Sequence, residues 1–366
     1  MSKRPKIVVV GYGAAGAAIA HKLANKYAVT VLSRDFEESS TASNQKWKHS
    51  GLLYSSQRLA KQMWEAYQNM NSVFEKPFIL KQQARFIARE LGTLQERVNE
   101  WRRWGVKDWG IEIDPLAAFE FEHAGVLGKT KAVGGFSTPD CVMDFPELVR
   151  NLRYATINNG VTFIEPVSAN KLIIEGKEVR GVSYAKGNSS ENISCDFCIL
   201  SQGAWTGQLL EKHDIKLPLI LKKCIVPKYP GELVPCLTVC LDIREGKSPD
   251  AAVAPFKGET IAAESTGVEV ENPKDRSFDL LRVQELKKEY EKCFPSLSSY
   301  EPSIGVCFKT EQKSSSGSPN VDYHIYSEED IGLSKIAVAI PGKASLMFQL
   351  ATNVADILKK VFFKII

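Results

Sequence analysis

The segment that most constrains this chain lies near its start. Lys6-Ile7-Val8-Val9-Val10 is followed by Gly11-Tyr12-Gly13-Ala14-Ala15-Gly16 and then by a helical stretch from Ala17 to Lys26. A short β-branched run suits a strand buried on both faces, and the spacing after the glycines is that of a helix. GxGxxG between a strand and a helix is the phosphate-binding turn of a dinucleotide site. Gly11 permits the tight turn, Gly13 lets the backbone approach a pyrophosphate, and Gly16 lets the helix pack closely on the strand. The helix N-terminus then faces the phosphates.

A second strand, Val29-Thr30-Val31-Leu32, should end on an acidic residue that binds the adenosine ribose. Ser33 occupies that slot, and Arg34 and Asp35 follow it. Either Asp35, after a small loop shift, or Ser33 would take the ribose; Arg34 is a 2′-phosphate ligand or a solvated strand end. HExxH, GxSxG, paired Cys/His zinc spacing and a second GxGxxG are all absent, so no metal and no separate nicotinamide site are expected.

With 366 residues, the chain exceeds what one hydrophobic core sustains, and two domains are expected. Lys plus Arg number 47 against 43 Asp plus Glu, and no long basic run occurs, so nucleic acid is not an expected partner. Trp101-Arg102-Arg103-Trp104, with Trp109 nearby, reads as the core stripe of an amphipathic helix with a charged back. No apolar stretch reaches the roughly 18 residues of a membrane span; Val361 to Ile366 would at most touch a membrane surface. Met1 to Lys6 is no signal-peptide core, and the eight cysteines are scattered. Reduced thiols and a cytoplasmic address are therefore expected. Cys195 and Cys198 have CxxC spacing, but residues three apart along a strand face opposite sides, so no redox disulfide is expected there.

After the second strand, a polar loop from Glu37 to Lys46 leads into Trp47-Lys48-His49-Ser50-Gly51-Leu52-Leu53-Tyr54 and a helix from Gln57 to Asn71. Here the sequence resembles the D-amino-acid-oxidase superfamily of FAD-dependent oxidoreductases. The nearer likeness is to its L-2-hydroxyglutarate dehydrogenase/oxidase and glycerol-3-phosphate dehydrogenase branches, in which His-Ala/Gly-Gly-x-x-Tyr lies beside the flavin. Thr138 to Asp144, the helix Phe145 to Asn159, the strand Gly160 to Ile164 and the hairpin Asn170 to Tyr184 extend the resemblance. So do Phe197 to Thr206, with its Gly203-Ala204-Trp205 turn, Val321 to Ile325, and Ile340 to Leu346. Only the regions near 73–133 and 225–300 match weakly.

The resemblance implies an α/β fold: a Rossmann-like FAD-binding domain of the glutathione-reductase type with a second, sheet-rich α+β domain. Residues 1–72, 138–212 and 330–366 would form the first; 73–137 and 213–329 would cover the flavin. The FAD site would draw on Gly11, Gly13, Ala14, Ala15 and Gly16, then on Ser33, Arg34 and Asn44. It would continue through His49, Ser50, Gly51 and Val167 to Gly203 and Trp205. Gly342, Lys343, Ala344 and Ser345 would close it, at a helix start whose free N–H groups favour negative charge on a reduced flavin.

His49, Lys343 and Lys309 are the candidate catalytic residues. His49 would accept a substrate hydroxyl proton, hydrogen-bond the flavin, carry a covalent flavin link, or simply pack against the site. Lys343 adds a full charge at the helix start or is a solvated loop lysine. The implied reaction takes a hydride from the C–OH carbon of a small anionic substrate of the 2-hydroxy-acid type to flavin N5. Oxygen, a quinone or a carrier protein would reoxidise the flavin. Two alternatives stay open: an amine or amino-acid oxidase of the same fold, and a flavin-binding protein without turnover. One departure bears on substrate. Where the hydroxyglutarate branch has Gly-x-Arg-x-Lys, this chain has Gly305-Val306-Cys307-Phe308-Lys309. A cysteine offers no fork for a carboxylate. The clamp is lost or moves to Lys309, Lys343 or a residue of the covering domain, or Cys307 makes room for a bulkier substrate. L-2-hydroxyglutarate is therefore expected to be a poor substrate. Lys309 to Pro319 is expected to be a flexible loop at the site mouth.

Overall fold

The computed structural model describes residues 4–54, 56–73, 78–81, 84–88, 90–116, 133–241, 251–262, 264, 267–313, 319–320 and 322–363. Its first sheet has six strands in the order His324–Tyr326, Ile336–Ile340, Phe197–Leu200, Lys6–Val10, Ala28–Leu32 and Thr162–Ile164. All neighbours run parallel except His324–Tyr326, which pairs antiparallel at the edge. Strand alternation divides the apolar residues between two layers. Ile7, Val9, Val31 and Ile199 face the helices Ala14–Leu23, Phe145–Asn158 and Met347–Phe362. Val8, Val10, Leu32 and Leu200 face a three-stranded antiparallel sheet of Ser168–Glu175, Glu178–Lys186 and Ser189–Ser194. The expected hairpin thus gains a third strand.

The first helix begins at Ala14, three residues before the expected Ala17, with Gly13 as its N-cap. The motif's own backbone is therefore the helix N-terminus. The expected polar loop after the second strand contains two helical turns, Phe36–Glu38 and Ser40–Ser43. Asp35 and Ser39 cap them by accepting bonds from Glu37 N and Ala42 N, a pattern that short-range composition does not disclose.

A second sheet is mostly antiparallel. Its strands include Ala84–Ala88, Gly134–Thr138, Leu219–Pro230, Leu237–Cys240, Ala251–Phe256, Glu259–Ala262 and Ser303–Lys313. Phe86, Val239 and Ala254 pack with Leu94 and Trp101 of the helix Leu91–Trp104. Ile87, Cys240 and Val253, one position along, meet Leu286 and Tyr290 of the helix Leu280–Cys293. Trp101 is buried and Trp104 and Trp109 pack against the same core, as the stripe predicts.

Two expectations need correction. Residues 309–313 continue a strand and are not a loop; 314–318 lie outside the described residues. Cys195 and Cys198 do not face opposite sides. Cys195 precedes the strand, so strand alternation does not govern it. Both thiols lie in one apolar cluster, hydrogen-bonded to each other. At the C-terminal end, Phe362 packs on Phe197 and on Tyr27, at 6.4 and 6.0 Å between ring centroids. That contact places Phe362 on the protein's own core, while Val361 and Phe363 are exposed; 364–366 lie outside the described residues. No helix among the described residues is long and apolar enough to cross a membrane.

Gly16 closes the first strand-turn-helix unit: a Cβ there would lie 1.9 Å from Gly11 O and 2.8 Å from Ser201 Oγ. Replacing Gly16 with Ala is expected to destabilise the protein by about 3 kcal/mol, because backbone must move to relieve the overlap. Gly92, inside a helix, would direct its Cβ into open space, so Gly92→Ala should be neutral or stabilising by up to about 1 kcal/mol. Denaturant midpoints of the two variants check this pair.

Candidate functional site

A single long cleft runs from the glycine turn to the last helix. Gly11, Gly13, Ala14 and Ala15 line one end and Gly342, Lys343, Ala344 and Ser345 the other. Ser33, Arg34, Asn44, His49, Val167, Gly203, Trp205 and Lys309 also line it. Gly16, Ser50 and Gly51 do not line the cleft. Gly16 serves helix packing. Gly51 has φ +100°, and a Cβ there would lie 2.4 Å from Ala60 O; Ser50 is fully buried.

At the turn, Gly11 sits at φ +100°, and a Cβ there would lie 2.6 Å from Ser201 O. The helix after it has no acidic residue in its first turn and no side-chain cap at Gly13. Instead Ala14 N donates to Thr41 Oγ1 at 2.9 Å. The next N–H groups of that turn have no intrahelical acceptor by geometry. Along the cleft, Arg34 stacks 3.8 Å over the Trp205 ring. Asp35 is exposed and engaged as a cap, whereas Ser33 is buried and donates to Arg34 O at 2.9 Å.

The other end is organised by Asp140, which the sequence reading placed only in an acidic segment. Asp140 is fully buried and accepts from Ser50 N at 2.8 Å, Trp47 Nε1 at 3.1 Å, Thr138 Oγ1 at 3.1 Å and Ser50 Oγ. Burial raises its pKa, and the bonds from Ser50, Trp47 and Thr138 oppose that rise. These bonds hold residues 47 to 50 and so aim His49. Trp47 stacks on the His49 ring at 4.0 Å between centroids, and His49 N donates to Ser345 Oγ at 3.3 Å. Among the described residues, His49 Nδ1 is buried without a partner. Burial, Lys343 and Lys309 together depress the His49 pKa well below its ordinary value. The imidazole is neutral and its ring is free to accept a proton.

Lys309 and Lys343 approach from different parts of the chain. Lys309 is on the strand Ser303–Lys313 and donates to Glu264 O at 3.1 Å. Lys343 follows the Gly342 turn, and burial and Lys309 bring its pKa down to about 8. Lys46, in a left-handed conformation at φ 58°, is likewise brought to about 8 by burial and donates to Ala42 O at 2.5 Å. Cys307 lines the cleft without replacing the arginine's charge, but Arg276 also lines it and packs over Phe308. Thr41, Lys46, Cys224 and Arg276 were not singled out from sequence. Thr41 sits in a capped turn hidden within a polar stretch. The other three reach the cleft only through tertiary folding.

The chain matches the family model described as FAD dependent oxidoreductase over residues 6–327. No curated protein matches it. Among solved structures, glycine oxidase from Bacillus cereus is 15% identical, with a TM-score of 0.74 over 98% of this chain and 96% of that one. L-proline dehydrogenase from P. horikoshii is 17% identical, with a TM-score of 0.73 over 100% and 94%. The glycerol-3-phosphate dehydrogenase from Bacillus halodurans, solved with FAD, is 14% identical, with a TM-score of 0.73 over 98% and 65%. At these identities the likeness is one of fold.

The residues present fit an FAD. The glycine turn leaves a cradle that a side chain would fill, the helix start lacks acidic residues, and an unpartnered imidazole waits at the far end. A Cβ at Gly13 would touch only Thr41 Oγ1, at 3.2 Å, so Gly13→Val should fold yet lose its flavin by blocking the pyrophosphate's approach. Circular dichroism and the flavin absorbance of the purified variant check both halves.

Proposed function

Because the chain belongs to the family of FAD-dependent oxidoreductases, we propose that it takes a hydride from the C–OH carbon of a small anionic substrate of the 2-hydroxy-acid type. The observation that carries this reading is His49: buried, neutral, unpartnered at Nδ1, and faced by Lys309 and Lys343. FAD, when bound, supplies the two-electron acceptor. His49 takes the hydroxyl proton. Lys309 and Lys343 hold the substrate anion and offset the charge that develops as that proton leaves. Arg276, which donates to Val306 O at 3.2 Å, is a third cation on the cleft wall, near Cys307 where the usual carboxylate fork is missing.

The same reading assigns 1–72, 138–212 and about 324–366 to FAD binding and 73–137 and 213–323 to the covering domain. The last boundary moves ahead of His324 because its strand pairs with Ile336–Ile340. Dioxygen, a quinone or a carrier protein completes the cycle. A second reading, oxidation at a C–N bond, is favoured by the amino acids in two neighbours' names, glycine and L-proline.

Anaerobic bleaching of the flavin separates them. 2-Hydroxy acids should bleach it, L-2-hydroxyglutarate poorly; bleaching only by amino acids or secondary amines would establish the second reading. His49→Gln should keep its flavin and slow substrate-driven reduction by about 10², the scale of a lost general base. A reduction rate equal to wild type would leave His49 a packing residue.

Lysine is charged below its pKa, so the charge at Lys343 is present below about 8 and lost above it. KM for the anionic substrate should therefore climb as pH rises past about 8 in wild type. In Lys343→Met, KM should be raised at lower pH and this inflection should vanish. Steady-state KM across that range is the check.

A further inference from the structure

Two thiols stand side by side on the cleft wall, and the reaction above uses neither. Cys224 on the strand Leu219–Pro230 is the direct partner of Cys307 on the antiparallel strand Ser303–Lys313. Directly opposed residues of an antiparallel pair project to the same face, with Cα atoms about 4.5 or 5.5 Å apart. Both values fall within the roughly 4.4–6.8 Å that a disulfide spans. Both residues are buried, both are free thiols, and both line the cleft. Cys195 and Cys198 also touch, but they lie in the core behind the first sheet and off the cleft.

We propose that Cys224 and Cys307 form a peroxide-oxidisable dithiol in the wall of the cofactor cleft, closing there as a cross-strand disulfide. The oxidant is hydrogen peroxide. One sulfur, as thiolate, attacks a peroxide oxygen; the O–O bond breaks, and the departing hydroxide takes a proton and leaves as water. The second sulfur attacks the resulting sulfenic sulfur, the S–S bond forms and the S–O bond breaks. A second water carries off the remaining proton. Two thiols thus lose two electrons and two protons, and peroxide is reduced to two waters.

Burial raises the pKa of both thiols, and at each the Lys309 charge works against that rise. Cys224 is hydrogen-bonded to Lys309, and Cys307 Sγ lies 3.8 Å from Ser40 O. The lysine thus supports the thiolate that starts the reaction. Closing the bond withdraws the Cys224 sulfur from Lys309 and ties together the two strands that carry this part of the wall.

The test treats native, flavin-loaded protein with hydrogen peroxide, alkylates under denaturing conditions and maps the peptides by mass. The expected result is the Cys224 and Cys307 peptides joined with loss of two hydrogens, formed ahead of any Cys195–Cys198 bond and reversed by a dithiol reductant. Cys224→Ser should leave Cys307 as a sulfenic acid that dimedone traps. Cys293→Ser, altered in the core of the second sheet, should leave the cross-link unchanged. The proposal is overturned if both wild-type thiols still alkylate after peroxide, or if Cys195 and Cys198 join first. Mapping of wild type decides the matter even if a serine variant fails to fold.

Discussion

Everything in this molecule is referred to one close approach. Gly16 lies against the Gly11 carbonyl, and Gly11 in turn lies against the Ser201–Gln202 backbone. Two chain segments some 190 residues apart in sequence, 11–16 and 201–202, meet there, with the Ser201 hydroxyl donating to the Gly11 carbonyl. The contact seats the first helix against the ends of the strands Lys6–Val10 and Phe197–Leu200. It also leaves the opening of the cleft at the helix N-terminus, where oriented N–H groups favour an anion. A methyl group at Gly11 or Gly16 would separate these backbones and remove the common origin of the cofactor site.

The opposite end of the cleft depends on a buried carboxylate. Asp140 draws Trp47, Ser50 and Thr138 onto one side chain, which immobilises the residues on either side of His49. Each donor stranded by its loss would cost about 1–3 kcal/mol. The arrangement also sets the electrostatics. With Trp47 stacked on one face, and burial and two lysines depressing its pKa, the imidazole rests neutral before substrate arrives. The scaffold thereby provides a base inside a positively charged enclosure, a combination suited to an anionic substrate that must lose a proton.

The second sheet contributes one wall of the cleft. Lys309, Cys307 and Cys224 come from two long, directly paired strands, and Arg276 reaches the cleft from the segment that precedes the helix Leu280–Cys293. Glu264 links the parts: its carbonyl accepts from both Lys309 and Gln45, and its carboxylate accepts from Arg282 and Ile225 N. The position of Lys309 over the cleft is thus tied both to the strand it sits on and to the loop beneath the glycine turn.

Local pattern in the sequence determined the dinucleotide turn, the parallel core strands and the amphipathic helices. A β-branched run, a glycine spacing and an apolar period act over a few residues, and the backbone obeys them wherever they occur. The strands Lys6–Val10 and Ile336–Ile340 and the helix Phe145–Asn158 follow from such short-range rules. The family likeness added His49, Lys309 and Lys343 as residues of interest. Only the tertiary structure decided that Lys309 and Lys343 face His49, that Asp140 aims it, that Thr41 caps the first helix, and that Cys224 stands opposite Cys307. Those relations join residues dozens to hundreds of positions apart. They arise from strand register and from the burial of polar groups that must find partners, and neither is written in any short stretch of sequence.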